Sequence, residues 1–547
     1  MSDEPTELLT SPIERRSVNR FFVIGGPLGL AIAIIVSLWI SHLRVTHTVS
    51  VQMEPQWQPG ESLALRVQVT PETPTVPDEV SVKAEVEQGG QRHALSGLVE
   101  VAPGLSQGTV TVPSLTPGPA TLHLRIEAPP LDPRDERIEI DVTEGRTPVA
   151  AEHMVSSSLS QYGDDSDLQP DKHKIDIRPR GRVLAGFDNE LWLRVTDDKG
   201  APWSGHASIA LVDGQLGDHR GSAETPKVLW AGQTDAAGLA SIHGVLGSEI
   251  LRLRVELRAQ PDAAEPLASR MIRLLSFAGA VNLRIDPLVT TESGQLEVLA
   301  AGLRAKRPVF VDVHGPDGAW IETFNPPIHG REPAKPWTPP ASMSGLLQFE
   351  AYHYTNEPGE STAVARLWVL PSTGDLKPLI ERQRDKLSVS RPDRTWDEAR
   401  ERGYLDALGR ASLPTSAESS ARTWLTSTLP IEVHGPPTLL RTRERDMGAM
   451  LDYKKAWAQG MRIFLLGGGG LFLVAMTILM IRSHRRDAEA TLRELQQTTA
   501  GEEREAMEAM VHQSRRAALL HGLLMVVMMA GGVASAVLLL ESFVWDF

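Results

Sequence analysis

The side chains able to do chemistry are few and loosely arranged. Asp164, Asp165, Asp167 and Asp171 precede His173, and such a cluster of hard oxygen ligands could hold calcium or a similar cation. It lacks the glycine and glutamate positions of an EF-hand. The plainer expectation is a solvated acidic linker, with Asp164, Asp165 and Asp167 as weak metal candidates. Tyr352-His353-Tyr354 lies in a run that reads as a strand, where alternation sends both tyrosines to one face; cross-strand packing is expected there ahead of a sugar platform. No phosphate loop ending in Gly-Lys-Ser/Thr, no His-Glu-x-x-His and no Ser-x-x-Lys is present. The chain has no cysteine, which removes disulfides, thiolate metal sites, thiol nucleophiles and thioesters together. No catalytic residue, no cofactor and no enzymatic activity are expected.

The stronger signal is for contact. Met447, Met450, Trp457 and Met461 follow one another at spacings of 3, 7 and 4, so they share one face of a helix, interrupted by Lys454. Gly467, Gly468, Gly469 and Gly470 come next, and small residues let helices approach closely inside a bilayer. These eight residues form a candidate partner interface. The competing expectation is that the face packs on the protein's own helices.

These residues need a membrane to position them. Runs at 21–40, 463–481 and 517–540 are each close to the ~20 residues that a spanning helix requires, and each lacks a charged residue at its centre. A transporter or proton channel acting alone is therefore not expected. Arg15, Arg16 and Arg20 precede the first run, and Arg482, Arg485, Arg486, Arg515 and Arg516 lie between the other two. Positive charge assigns residues 1–20 and the helical hairpin 482–516 to the cytoplasm, and everything from 41 to 462 and from 541 to 547 to the far side. The first run is longer than a signal-peptide core and no small-x-small site follows it, so an uncleaved anchor is expected. A large outer portion without cysteine fits a bacterial inner membrane with a periplasmic domain. A net charge of −14 argues against nucleic acid as a partner. The lipid bilayer and other membrane or periplasmic proteins are the expected partners, with oligomerisation left open.

The outer portion alternates with period two. Leu63, Leu65, Val67 and Val69, then Leu122, Leu124 and Ile126, then Ile138, Ile140 and Val142 belong to a first unit at 45–147. A linker at 148–172 separates it from a second unit at 173–279, with Leu191, Leu193 and Val195 and then Leu251, Leu253, Val255 and Leu257. A third follows at 280–371, with Val309, Val311 and Val313. Half-apolar sheets bury their faces only against each other, so each unit reads as a β-sandwich of Ig-like size. Beyond Pro371 a helical juxtamembrane segment at 376–462 is expected. Thr395 to Glu398 form a capping box for a helix to about Arg410, Ser416 caps another through Leu425, and a third begins at Pro436-Pro437-Thr438 and continues into the membrane.

The second unit carries Val195-Thr-Asp197-Asp-Lys-Gly200-Ala-Pro202-Trp-Ser-Gly205 and, downstream, Thr234-Asp235-Ala-Ala-Gly238. This pattern resembles the strands and turns of bacterial Ig-like and macroglobulin-type domains. The resemblance implies a stack of sandwiches used for reach and binding. The thioester of the protease-trapping macroglobulins is not carried over, because its cysteine is missing. The fold class expected is thus a multi-domain membrane protein with three tandem all-β Ig-like sandwiches, a helical juxtamembrane segment and three transmembrane helices. The expected role is a non-enzymatic inner-membrane scaffold or adaptor presenting a periplasmic stalk. The alternative is a membrane-anchored receptor whose sandwiches capture an envelope ligand.

Overall fold

Period-two alternation becomes strand register in the computed structural model. It describes residues 12–149, 153–154, 159–160, 172–276, 281–302, 308–326, 335–340, 343–353, 362–371, 376–389, 398–428, 432–498 and 503–545. The chain divides into two units: Val49–Arg441, which is mainly β, and a helical unit made of Met1–Thr48 with Thr442–Phe547.

The β unit holds several two-sheet sandwiches. In the first, Ser62–Pro71 lies between His47–Met53 and Leu105–Thr111, facing a sheet built on Ser81–Gln88, Gly118–Glu127 and Arg134–Val142. Leu63, Leu65, Val67, Leu122, Leu124 and Ile126 meet in its core, each almost inaccessible to water. The second sandwich packs His173–Pro179, Asp188–Asp197 and Leu239–Val245 against His206–Leu216, Ile250–Arg258 and Ala268–Leu275. In the third, Val281–Asp286 and Leu296–Gly302 face Phe310–His314, Trp320–Phe324, Gly345–Tyr352 and Ala363–Val369.

Three features depart from a simple string of domains followed by a helical stem. First, the helices Lys377–Val389, Glu398–Arg410 and Thr415–Ser427 join a core with Trp192, Leu239, Leu346 and Trp368, so they belong to the β unit. Thr395 lies outside the described residues. The helix Thr415–Ser427 has Pro414 as its N-cap, with no side-chain capping bond, where Ser416 was the expected cap.

Second, Pro436-Pro437-Thr438 does not start a helix. Thr438–Arg441 is a strand paired antiparallel with His47–Met53, and Met53 N–H donates to Pro437 O at 2.9 Å. The sheet partner satisfies backbone groups that a helix would otherwise have paired internally. The helix then begins at Thr442. Third, the stretch expected as a linker contributes two short strands. His153–Met154 pairs with Glu432–Val433, and Leu159–Ser160 pairs with Ala268–Leu275. The end of the β unit therefore returns to its beginning.

The helical unit contains Pro12–Ser41, Thr442–Ile463 continuing through a π turn at Phe464–Gly468 into Gly469–Thr498, and Glu503–Phe543. Among the described residues three helices are long and apolar enough to cross a membrane, within the stretches Ile24–Ser41, Thr442–Leu479 and Gly522–Phe543. Lys454 Nζ donates to Ser41 O at 2.8 Å, placing a cation at the carbonyl end of the first helix. Arg462 and Glu541 pair at 2.5 Å.

Candidate functional site

The residues expected to form a partner seam separate into two groups. Met447 is exposed, and Met450 and Trp457 are half-buried on the helix Thr442–Ile463. Met461 turns inward and packs against Ala33, Ala458, Leu465, Leu540 and Trp545. The glycine run divides likewise. A Cβ at Gly469 would stand 3.3 Å from Val533, a close approach between helices, and one at Gly468 would touch only the Phe464 ring at 3.8 Å. At Gly467 or Gly470 it would meet nothing within 4 Å. Lys454, the apparent interruption of the seam, is the residue bonded to Ser41.

Asp164, Asp165, Asp167 and Asp171 lie outside the described residues. Among the described residues no group of three or more His, Asp or Glu is placed to hold a metal ion. Gly104-Leu105-Ser106-Gln107-Gly108 has the spelling of a nucleophile elbow. That chemistry needs a serine exposed on a tight strand-to-helix turn. Ser106 instead lies within the strand Leu105–Thr111, buried and in register with Val67.

Two buried arginine centres that sequence reasoning missed tie the β unit together. Arg66 alternates with the core residues Leu65 and Val67, so its side chain leaves the opposite face of its sheet. That face is covered by the third sandwich, whose Asp312 also sits on an outward face, between Val311 and Val313. Arg66 donates to Asp312 Oδ1 at 2.8 Å, Tyr352 Oη at 2.8 Å, Thr323 Oγ1 at 3.0 Å and Gln107 Oε1 at 2.8 Å. Tyr352 donates in turn to Asp312. The guanidinium lies over Trp320 and Phe310, at 5.0 and 5.3 Å from the ring centres. Arg66 and Asp312 are fully inaccessible to water, and burial is tolerable because the charges pair and the donors are bonded. In the Tyr352-His353-Tyr354 triplet, Tyr352 belongs to this centre and His353 Nδ1 contacts Pro308 O at 2.9 Å. Tyr354 lies outside the described residues.

Around it lie further buried acids. Glu54 accepts from Trp320 N at 2.6 Å, and Glu350 accepts from His434 N at 2.7 Å and Gly435 N at 3.2 Å. Burial pushes both carboxyls above the usual range, and the amide bonds offset only part of that. Burial also lowers His314 to about 4, so it is neutral where it stacks on His434 at 5.2 Å.

The second centre joins the second sandwich to the helix Glu398–Arg410. Arg194 again occupies an outward position, between Leu193 and Val195. It donates to Glu401 Oε2 at 2.7 Å and Oε1 at 2.5 Å, and to Asp176 Oδ2 at 2.7 Å. Arg178 adds a bond to Glu401 at 2.8 Å, Arg400 bonds Asp176, and Arg270 stands 3.7 Å from it. Burial alone would raise Asp176 and Glu401. For Asp176 the arginines 194, 400 and 178 outweigh it and hold the carboxyl well below its usual range, and for Glu401 Arg194 and Arg178 keep it below its ordinary value. Tyr404 and Trp424 cap Arg194 at 4.8 and 4.9 Å.

The motif Val195 to Gly205 positions this helix. Asp197 Oδ1 accepts from Lys199 N and Ala201 N, fixing the turn. Gly200 has φ +87°, and a Cβ there would fall 2.6 Å from Arg400 O. Only glycine lets the turn sit against the helix.

No family model matches the chain, and no curated protein matches it. Solved structures do. A mutant Salmonella alpha-2-macroglobulin aligns with 60% of this chain and 23% of its own at 13% identity and a TM-score of 0.15. The tetra-tandem repeat in the extending region of a large adhesion protein aligns over 60% and 75% at 13% identity and 0.15. The Escherichia coli adhesin FdeC aligns over 59% and 96% at 14% identity and 0.13. The chain thus spans about a quarter of the macroglobulin it resembles. The likeness is to macroglobulin-type and Ig-like β-sandwiches.

Proposed function

We propose that this protein is a non-enzymatic scaffold or adaptor of a bacterial cell envelope. Three helices cross the inner membrane, with the N-terminus and the hairpin 482–516 in the cytoplasm and the β unit in the periplasm. The observation that carries the reading is the closure of the β unit between two apolar helices. The chain enters and leaves it by hydrogen-bonded neighbours, His47–Met53 and Thr438–Arg441; the first follows the apolar helix Pro12–Ser41, and the second leads through the charged helix Thr442–Ile463 into an apolar one. Arginine at both cytoplasmic ends supports the orientation.

The test has two parts. A reporter active only in the cytoplasm works at Thr499 and fails at Gly163; the reverse pattern defeats the orientation. Purification of the tagged full chain in mild detergent then recovers stoichiometric membrane partners, read by mass spectrometry. Recovery of a soluble periplasmic ligand alone would instead establish a receptor.

A further inference from the structure

Resting on the reading of the apolar helices as membrane spans, we infer that the cleft between them binds one acyl chain of a membrane lipid. The cleft has a volume of about 600 Å³. All three spans give it glycine: Gly26 and Gly29 from the first helix, Gly468 and Gly469 from the second, and Gly532 from the third. Two close approaches hold it open. A Cβ at Gly26 would fall 2.8 Å from Met529 Cε and 3.1 Å from the Phe472 ring, and one at Gly469 would fall 3.3 Å from Val533. The helices already touch at these points. At Gly29 and Gly532 a Cβ would meet nothing within 4 Å, so the space lies where the helices stand apart. The π turn Phe464–Gly468 shapes one wall. Its extra residue leaves Gly469 N–H shared between the carbonyls of Leu465 and Leu466, and Phe464 projects outward, 61% exposed.

The chemistry of the walls selects the occupant. None of the lining side chains has a hydroxyl, an amide or a charge; all are glycine, proline, leucine, valine, methionine or phenylalanine. Water would find no hydrogen-bond partner there. An empty cleft would forfeit the dispersion contacts of its whole lining. A second protein helix packed on these glycines is the competing occupant, and the labelling experiment below distinguishes it from lipid. A flexible hydrocarbon chain fits the volume and the walls, and the bilayer supplies it.

The experiment uses the full-length protein in nanodiscs of phosphatidylethanolamine and phosphatidylglycerol. The phosphatidylglycerol carries a photoreactive diazirine in the middle of one acyl chain, and adducts are mapped by peptide mass spectrometry. The expected result is labelling concentrated on peptides containing Phe472 and Met528–Met529. Gly532→Phe fills open space in the cleft and should reduce that labelling about tenfold. Gly531→Phe also meets open space but does not line the cleft, and should leave labelling unchanged. Native mass spectrometry should show a retained phospholipid in the wild type and in Gly531→Phe, and its loss in Gly532→Phe. Equal labelling in all three proteins, or uniform labelling of every apolar helix, overturns the inference while leaving the membrane reading intact. So does a second protein chain shielding the cleft from label. Release of the protein from membranes by alkaline carbonate overturns both.

Discussion

Arg66 and Arg194 are both fully buried and both ringed by aromatic side chains, yet they are neutralised in different ways. Arg66 forms its salt bridge with Asp312, and its remaining bonds go to neutral oxygens of Tyr352, Thr323, Gln107 and Gln52. Arg194 sits in a charge-dense group where Asp176 and Glu401 are shared with Arg178, Arg270 and Arg400. Among the described residues Asp312 pairs with no cation besides Arg66. The second centre has redundancy. Removing one partner of a buried pair is costly because it strands the other, and the cost falls when a neighbour can take over.

The largest effect tests whether the second centre is integral to the β unit. A fragment of residues 45–441 should be soluble and β-rich by circular dichroism. One ending at 371 should aggregate, because it loses Leu379, Ile380, Tyr404, Leu405 and Trp424 from a shared core and uncovers Arg194. Each such side chain contributes about 1.5–3 kcal/mol on burial. A soluble, cooperatively unfolding 45–371 fragment would show that the helices are an accessory.

Next comes the contrast itself. Arg66→Leu leaves Asp312 buried without its cation and should cost about 3–5 kcal/mol in urea unfolding of the 45–441 fragment. Arg194→Leu should cost less, about 2 kcal/mol, because Arg178 and Arg400 still hold Glu401 and Asp176. Equal costs would mean that the redundancy is geometric only.

Acid should separate the two centres in opposite directions. Asp176 and Glu401 are held below their unfolded values, so their contribution is complete above about pH 4 and is lost as pH falls below it. Glu54 and Glu350, which lie near Arg66, are raised by burial, so the folded form binds protons first and gains stability as pH falls from neutrality. His314, neutral in the fold down to about pH 4, opposes this gain over the same range, so hydrogen exchange, corrected for intrinsic rate, should show peptides of Phe310–His314 firming between pH 7 and 5 once His314 is replaced by Gln. Peptides of Glu398–Arg410 should hold there and loosen first below pH 4. Loss of protection at both sites together would break the distinction. The smallest effect is a control on the surface. Glu398→Ala removes an exposed i,i+4 pair with Arg402 and should change stability by no more than about 0.5 kcal/mol.

The inward faces were legible because alternation names them: Leu63, Leu65 and Val67, and Leu251, Leu253 and Val255, all lie where the pattern puts them. What covers an outward face is not encoded in period two. Arg66 and Arg194 occupy positions that alternation assigns to water, and only the neighbouring sandwich or helix excludes it. A clue was present in Phe310, Trp320, Tyr352 and Trp192, large aromatics on outward positions that a solvated face would not favour. Composition likewise marked the run Gly467 to Gly470 as small without distinguishing Gly469, which meets Val533, from Gly467 and Gly470, which meet nothing. That distinction depends on where another helix passes.

The pairing of His47–Met53 with Thr438–Arg441 also sets a clock. Ser50 finds its partner Arg441 about 390 residues later in the chain. At ~5–20 residues per second of synthesis the wait is roughly 20–80 s. Throughout that interval one margin of the first sandwich is an unpaired strand that the finished fold buries almost completely, the kind of edge that recruits wrong partners. The first segment of the β unit to be made is thus among the last to be completed, and the emerging chain keeps that margin open until its final strand arrives.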